Sequence, residues 1–238
     1  MPQRPQVVLE PRKSPVQARS TASVEAILEA TVQVLLQVGK ERLTTTRVAS
    51  RAGVSVGTLY QYFPNKSSLL QAALKRHLTE VGDAVERVCK EQKGRTLREM
   101  ATALITAFLQ SKMKDAKTSV ALYSVSSDVD AAKIVQQMGI RFNEAIFQML
   151  ATSCNPLTTD PQLVASMLQG LMVGVSRRML ESGAPKEQFD ILREELIFLA
   201  CAYLDACSAR LSVPRLSVQD ALPQSKQVLN KSEVFESV

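Results

Sequence analysis

Apolar residues return at intervals of three, four and seven along most of this chain, the spacing of helices that bury one face. Val24, Ile27, Leu28, Val34, Leu35 and Val38, with Thr31 as a partial member, trace such a stripe over 23–38, and Gly39 is a natural C-terminal stop. The same pattern predicts helices over 65–90, 97–112, 115–125, 129–152, 161–181 and 186–211. Their breaks fall at Gly94, Ser126-Ser127-Asp128, Asn155-Pro156 and Gly183-Ala184-Pro185. Pro161 and Pro185 suit a first helical turn, and Asp160 stands where an N-cap belongs. No run of alternating β-branched residues predicts a sheet, so the expected fold class is all-α. The longest strongly apolar block, 196–204, is too short to cross a bilayer, and no membrane partner is expected.

Between 43 and 66 the chain reads LTTTRVASRAGVSVGTLYQYFPNK, which predicts two short helices joined by a tight turn. Val48 and Ala49 lie in the first, Ala52-Gly53-Val54 makes the corner, and Leu59 sits in the second. Small and apolar groups at these places let two helices cross steeply, and the glycine turns the chain where a side chain would clash. Thr44, Thr45 and Thr46 offer an N-cap to the first helix and Ser55 to the second. Leu59 and Phe63 are assigned to the core. Val56, Gly57, Thr58, Gln61 and Tyr62 are left facing outward, with Tyr60 on the flank. So short a pair cannot bury enough surface alone, and the helix at 23–38 supplies its platform.

Charge sharpens this picture. Residues 1–77 hold eleven Lys and Arg against four Glu, a net +7, while the whole chain is +6, so the remainder is close to neutral at −1. The basic excess is confined to the segment with the helix-turn-helix, where phosphates would use it.

The string TTTRVASRAGVSVGTLYQYFPNKSSLL resembles the DNA-binding signature of the TetR-type one-component repressors. That signature runs from a helix ending in Gly, through T-x-x-x-[VI]-A-x-x-A-G-[VI]-S and G-[TS]-[LIF]-Y-x-[YH]-F, to a turn and a Lys. Gly39, Thr45, Val48, Ala49, Ala52, Gly53, Val54, Ser55, Gly57, Thr58, Leu59, Tyr60, Tyr62, Phe63 and Lys66 match it. The resemblance covers roughly residues 20–75. It implies a three-helix DNA-binding domain followed by a helical domain that binds an effector and dimerises. It also implies a repressor that binds a palindromic operator as a homodimer and is released by a small apolar or amphipathic effector.

Roles on double-stranded DNA follow from the resemblance and from side-chain chemistry. Thr45 and Thr46 offer hydroxyls and backbone N–H groups to a phosphate, and Arg47 reaches a phosphate or a guanine edge. Ser55 caps the recognition helix. Thr58 touches a thymine methyl or a base acceptor, and Gln61 bridges an adenine. Tyr60 and Tyr62 suit phosphate oxygens, and Lys66 adds charge at the head of the next helix. Packing alone for Tyr60 and idle solvation for Gln61 are the plain alternatives. Val56 and Gly57 bring no hydrogen-bonding side chain, so specificity is expected to lean on Arg47, Thr58, Gln61 and DNA shape.

Four segments result: a disordered basic arm at 1–19, the helix-turn-helix domain at 20–77, a helical effector and dimerisation domain at 78–211, and a disordered tail at 212–238. Pro2, Pro5, Pro11 and Pro15 deny the arm a helix; its Arg12, Lys13 and Arg19 either enter a minor groove or do nothing. It lacks the pattern of a secretion signal. The helices at 161–181 and 186–211 carry apolar groups on more than one face, and Gly170 and Gly174 lie one turn apart, which points to a four-helix dimer interface. Phe108, Tyr123, Met138, Phe142, Met167 and Leu171 either pack as plain core or line the effector cavity that the resemblance implies. Arg141 either meets an anionic head group there or lies on the solvent face.

Little supports an enzyme. The single histidine, His77, has no nucleophile or carboxylate tied to it by a motif, and Cys89, Cys154, Cys201 and Cys207 lack metal-ligand spacing. No cofactor or metal is expected, and the cysteines read as reduced thiols of a cytoplasmic protein. Thiol-based redox sensing and sequence-independent architectural DNA binding stay open as alternatives.

Overall fold

The computed structural model describes residues 18–126, 129–183 and 186–208, and every regular element among them is a helix. In chain order these are α1 (Ala18–Arg42), α2 (Thr45–Ala52), α3 (Val56–Tyr62), α4 (Lys66–Glu91), α5 (Leu97–Met113), α6 (Ala116–Ser126), α7 (Val129–Leu150), α8 (Pro161–Ser182) and α9 (Lys186–Ser208). Nearly all of the expected arm, all of the expected tail and the break residues Ser127, Asp128, Ala184 and Pro185 lie outside the described residues.

The caps are where local chemistry places them. Thr44 accepts from the Arg47 N–H at the start of α2, and Ser55 from the Thr58 N–H at the start of α3. Asn65 and Ser68 form a reciprocal capping box on α4, as Thr96 and Glu99 do on α5. Asp160 accepts from the Gln162 N–H, with Pro161 in the first turn of α8. Helix α1 departs from expectation at both ends. It begins at Ala18, upstream of the apolar stripe, so the end of the expected arm is helical. It also resumes for one turn after Gly39, whose φ of 76° breaks the regular path. That last turn returns the chain so that the Leu43 N–H reaches the Gly39 carbonyl at 3.1 Å, with Leu43 buried. By length and composition α1 is apolar enough to cross a membrane, which the sequence reading passed over. In the fold its stripe, from Ile27 to Leu35, is core.

Two apolar clusters organise the chain. The first unites α1, α2, α3 and the opening turns of α4, and it also takes in Leu122 and Val125 from α6 and Ala131 from α7. The second is built from the later turns of α4 together with α5, α7, α8 and α9. Helix α4 runs through both: Leu69, Leu70, Ala73 and Leu74 serve the first, Val81, Val85, Val88 and Cys89 the second. The division expected at 77 and 78 therefore falls inside a continuous helix. Its broadest contact is with α7, at a crossing that needs Gly82, because a Cβ there would stand 2.6 Å from the Phe142 ring. Arg141 tightens that crossing by pairing with Glu86 and, at 2.8 Å, with Asp83. It is neither an idle solvent-facing arginine nor a free head-group ligand, because two carboxylates of α4 already hold it.

Candidate nucleic-acid interface

Helix α3 is too short to hold its own orientation, and buried side chains set it. Leu59 and Phe63 are sealed in the first cluster with Leu43, Val48 and Ala49, which fixes which arc of α3 faces out. Gly53, in the left-handed region at φ 69°, ends α2 and donates back to its last turn, so that the two helices meet with a minimal connection.

The outward arc differs in part from the expected one. Gly57, Gln61 and Tyr60 are exposed, Tyr60 at 40 %. Val56 and Tyr62 are half-buried against the core, so they are footings more than readers. Over seven residues the apolar period cannot distinguish these arcs, and the neighbouring helix decides. Tyr60 Oη lies 3.0 Å from Thr45 Oγ1, which joins the far end of α3 to the N-terminus of α2 and brings two hydroxyls to one point on the surface. Thr46 is exposed next to Thr45, at the helix end where the opening N–H groups of α2 lie. Thr58 is half-buried and shares a 2.8 Å hydrogen bond with Ser55 Oγ, so both hydroxyls close the head of α3.

Cations surround this surface. Arg47 is exposed, its Nη1 donating to the Arg42 carbonyl at 3.1 Å, and Lys66 Nζ donates to the Glu41 carbonyl at 3.3 Å. Both bonds end on carbonyls rather than acids, and no ion pair among the described residues compensates either charge. Arg51, missed in the sequence reading, is exposed on the last turn of α2 and oriented by Gln33 Oε1 at 2.6 Å. Its signal in the sequence was only its basic character beside the corner, since Gln33 lies on another helix.

The expected effector residues do not form one surface. Phe108, Met138, Phe142 and Leu171 belong to the second cluster. Met167 is 54 % exposed on the outward side of α8, because the buried face of that helix passes through Val164, Leu168 and Met172. Tyr123, on α6, meets Phe108 through Lys112, whose Nζ donates to the Tyr123 hydroxyl at 2.8 Å and stands 5.8 Å from the centre of the Phe108 ring. Among the described residues no three His, Cys, Asp or Glu side chains gather as metal ligands. Burial, then Glu86, pushes the Cys89 thiol up to about 12, which keeps it protonated, and Cys154 is exposed.

His77, on the stretch of α4 between the two clusters, donates its Nε2–H to Ser119 Oγ at 3.1 Å, the proton of that hydroxyl going to the Lys112 carbonyl. Burial and then Lys112 lower its pKa to about 4, against an opposing pull from Asp115 and a further small push from Arg76. The unfolded chain therefore takes up a proton near 6.5 that the folded chain refuses until about 4. Stability from this group is complete above 6.5 and declines as pH falls through that window. Between pH 7 and pH 5 the loss is about 1–2 kcal/mol, read as the difference in urea unfolding between the wild type and His77→Asn. Equal pH slopes in the two proteins would contradict it.

Residues 27–73 match the family of bacterial regulatory proteins of the tetR type, and residues 96–204 match the tetracyclin repressor-like C-terminal domain. The HTH-type transcriptional regulator BetI 1 of Chromohalobacter salexigens is 37 % identical over 151 residues, covering 61 % of this chain and 74 % of the relative. The HTH-type transcriptional repressor KstR of Rhodococcus jostii is 30 % identical over 159 residues, covering 64 % and 72 %. In fold the chain is similar to a TetR-family transcriptional regulator structure from Mesorhizobium loti, with a TM-score of 0.66 at 20 % identity, over 81 % of this chain and 100 % of that one.

Proposed function

The chain belongs to the TetR family of bacterial regulatory proteins and is a DNA-binding transcriptional regulator, and from that premise we propose that it represses from a palindromic operator as an effector-released homodimer. The observation that carries the reading is the buried footing of α3: Leu59 and Phe63 seal one side, and Gly57, Tyr60 and Gln61 are turned to solvent beside Arg47 and Arg51. Gly57 allows close backbone approach to a groove, and the base edges are read by Gln61 and Arg47. Thr45, Thr46, Tyr60 and Lys66 hold phosphates, and Ser55 and Thr58 order the helix that enters the groove.

Dimerisation is supported by what α8 and α9 leave uncovered. Leu163, Met167 and Val173 on α8, and Ile191, Phe198 and Leu199 on α9, are exposed large apolar groups. Gly170 and Gly174 have open space where a Cβ would be, which a second copy's helices can fill closely. Two heads held one DNA turn apart favour a site with twofold symmetry. Release by an effector then works as a shift between states. Because α4 passes through both clusters, packing changes among α5, α7 and α8 alter the tilt of the heads, and operator and effector weaken each other reciprocally. The relatives are transcriptional regulators; we assign no residue a catalytic role, and we infer a cytoplasmic site of action from the DNA that such a regulator binds.

Substitution of the two base readers tests this reading. Arg47→Ala and Gln61→Ala are each expected to cost about 1–3 kcal/mol on the preferred site and to relax the preference at one position of each half-site. A binding scan in which both variants kept the wild-type sequence preference would overturn the assignment.

A further inference from the structure

Lys112 is a buried lysine with no ion-pair partner among the described residues. It lies in the last turn of α5, 5 % exposed. Its ammonium donates to Tyr123 Oη at 2.8 Å and stands 4.8 Å from the centre of that ring and 5.8 Å from that of Phe108. No ion pair among the described residues includes it, and burial alone brings its pKa down to about 8, so at neutral pH it is mostly charged. The acids that come near are engaged elsewhere. Asp115 holds the Thr118 N–H at 2.9 Å and the Thr118 hydroxyl, and Glu181 holds Arg177 at 2.7 Å. His77 stays neutral on the far side of Ser119, whose hydroxyl donates to the Lys112 carbonyl at 2.8 Å. A desolvated cation held, among the described residues, by a phenol and two ring faces is costly, and an anion of the right size would relieve it.

The surroundings match such an anion carried on a hydrocarbon. Burial raises the pKa of the Tyr123 hydroxyl, and Ser176 on α8 is close enough to oppose that rise; Met172 and Met179 lie one turn to either side of that serine on the same buried face. Methionines are unbranched and repack readily around an apolar guest, and the Phe108 ring centre stands 5.8 Å from the ammonium. Building on the reading of the chain as an effector-controlled regulator, we propose that Lys112 and Tyr123 form the head-group subsite of its effector. They take the carboxylate or phosphate of an apolar monoanion whose body lies against Phe108, Met172 and Met179. The lysine then exchanges a π face for a counter-charge, and the tyrosine turns its hydroxyl from accepting to donating.

The position of Tyr123 gives the subsite a direct line to the reading head. Its neighbours on α6, Leu122 and Val125, are buried in the first cluster with α1 and α4, and Lys40 of α1 donates to the Ser124 carbonyl at 3.3 Å. An anion that pulls on Tyr123 therefore pulls on the helix against which the head rests.

Calorimetric titration of the full chain with medium-chain alkyl carboxylates, alkyl phosphates and alcohols of matched length tests the proposal. In the wild type one anionic series should bind at least about tenfold tighter than its alcohols, and which series does so identifies the head group. Lys112→Met, which keeps the volume, should bind anion and alcohol alike and melt no lower than the wild type. Tyr123→Phe, which keeps the ring, should lose the preference several-fold, and it decides the matter should Lys112→Met prove unstable. Failure of both anions to bind, equal binding of anion and alcohol by the wild type, or a preference that survives both substitutions would overturn the subsite. Operator affinity without any probe, measured on the same preparations, separates the two readings. Intact operator binding with no anion preference defeats the subsite alone, whereas absent operator binding defeats the regulator.

Discussion

Phe198→Asp is expected to leave the protein folded, make it monomeric at micromolar concentration and weaken operator binding by about a hundredfold or more. Phe198 is 69 % exposed on α9, so it contributes little to the core of its own chain, and helix content should not change. It is, however, a large apolar group on a surface that also shows Ile191, Leu199, Leu163 and Met167. An aspartate there would be buried against apolar groups of a second copy without a partner, a cost that a dimer interface of ordinary size does not withstand. The loss on DNA is larger than the loss of any single base contact. With the dimer gone, the second head no longer meets its half-site at the effective concentration that the first head sets. Sedimentation and operator titration check both halves of the expectation. A Phe198→Asp protein that remained dimeric would place the interface elsewhere on the molecule.

The second large effect belongs to the reading head itself. Phe63→Ala should destabilise the protein by about 3–5 kcal/mol, a major part of the stability of an ordinary domain. Phe63 is 1 % exposed, among the largest fully buried side chains, and its N–H closes α3 by donating to the Leu59 carbonyl at 2.9 Å. Removing the ring leaves a void where α3 is seated. Because the first cluster houses the head, the loss should show first in operator binding on warming, while most helix signal from the second cluster persists. Chemical unfolding with a single unchanged midpoint would contradict this account of the core.

The contrast between what could and could not be read from the sequence follows the distance over which each feature is decided. Thr44, Ser55, Gly53 and the Asp160-Pro161 pair are settled within a turn of the chain, and each does in the structure what its residue type demands. The helix bounds from α4 to α8 follow the periodic spacing closely for the same reason. Orientation on α3 is a different matter, because Tyr62 is drawn inward and Tyr60 left outward by packing against the rest of the head. Arg141 finds its acids on α4, more than fifty positions upstream, and no local pattern announces the pairing. Leu122, Val125 and Ala131 complete the first core from helices more than forty positions downstream of it in the chain, and no local pattern announces that either. Nothing local to Lys112 marks it for burial, and only the fold encloses it.

The most direct test of the account is selection of duplexes from random DNA by the purified full chain, followed by titration of the recovered sequence against unrelated competitor at moderate salt. The account predicts one enriched sequence with two inverted half-sites about one turn apart, bound at least about a thousandfold more tightly than competitor. Recovery of no sequence, or equal affinity for the selected and unrelated duplexes, would contradict it.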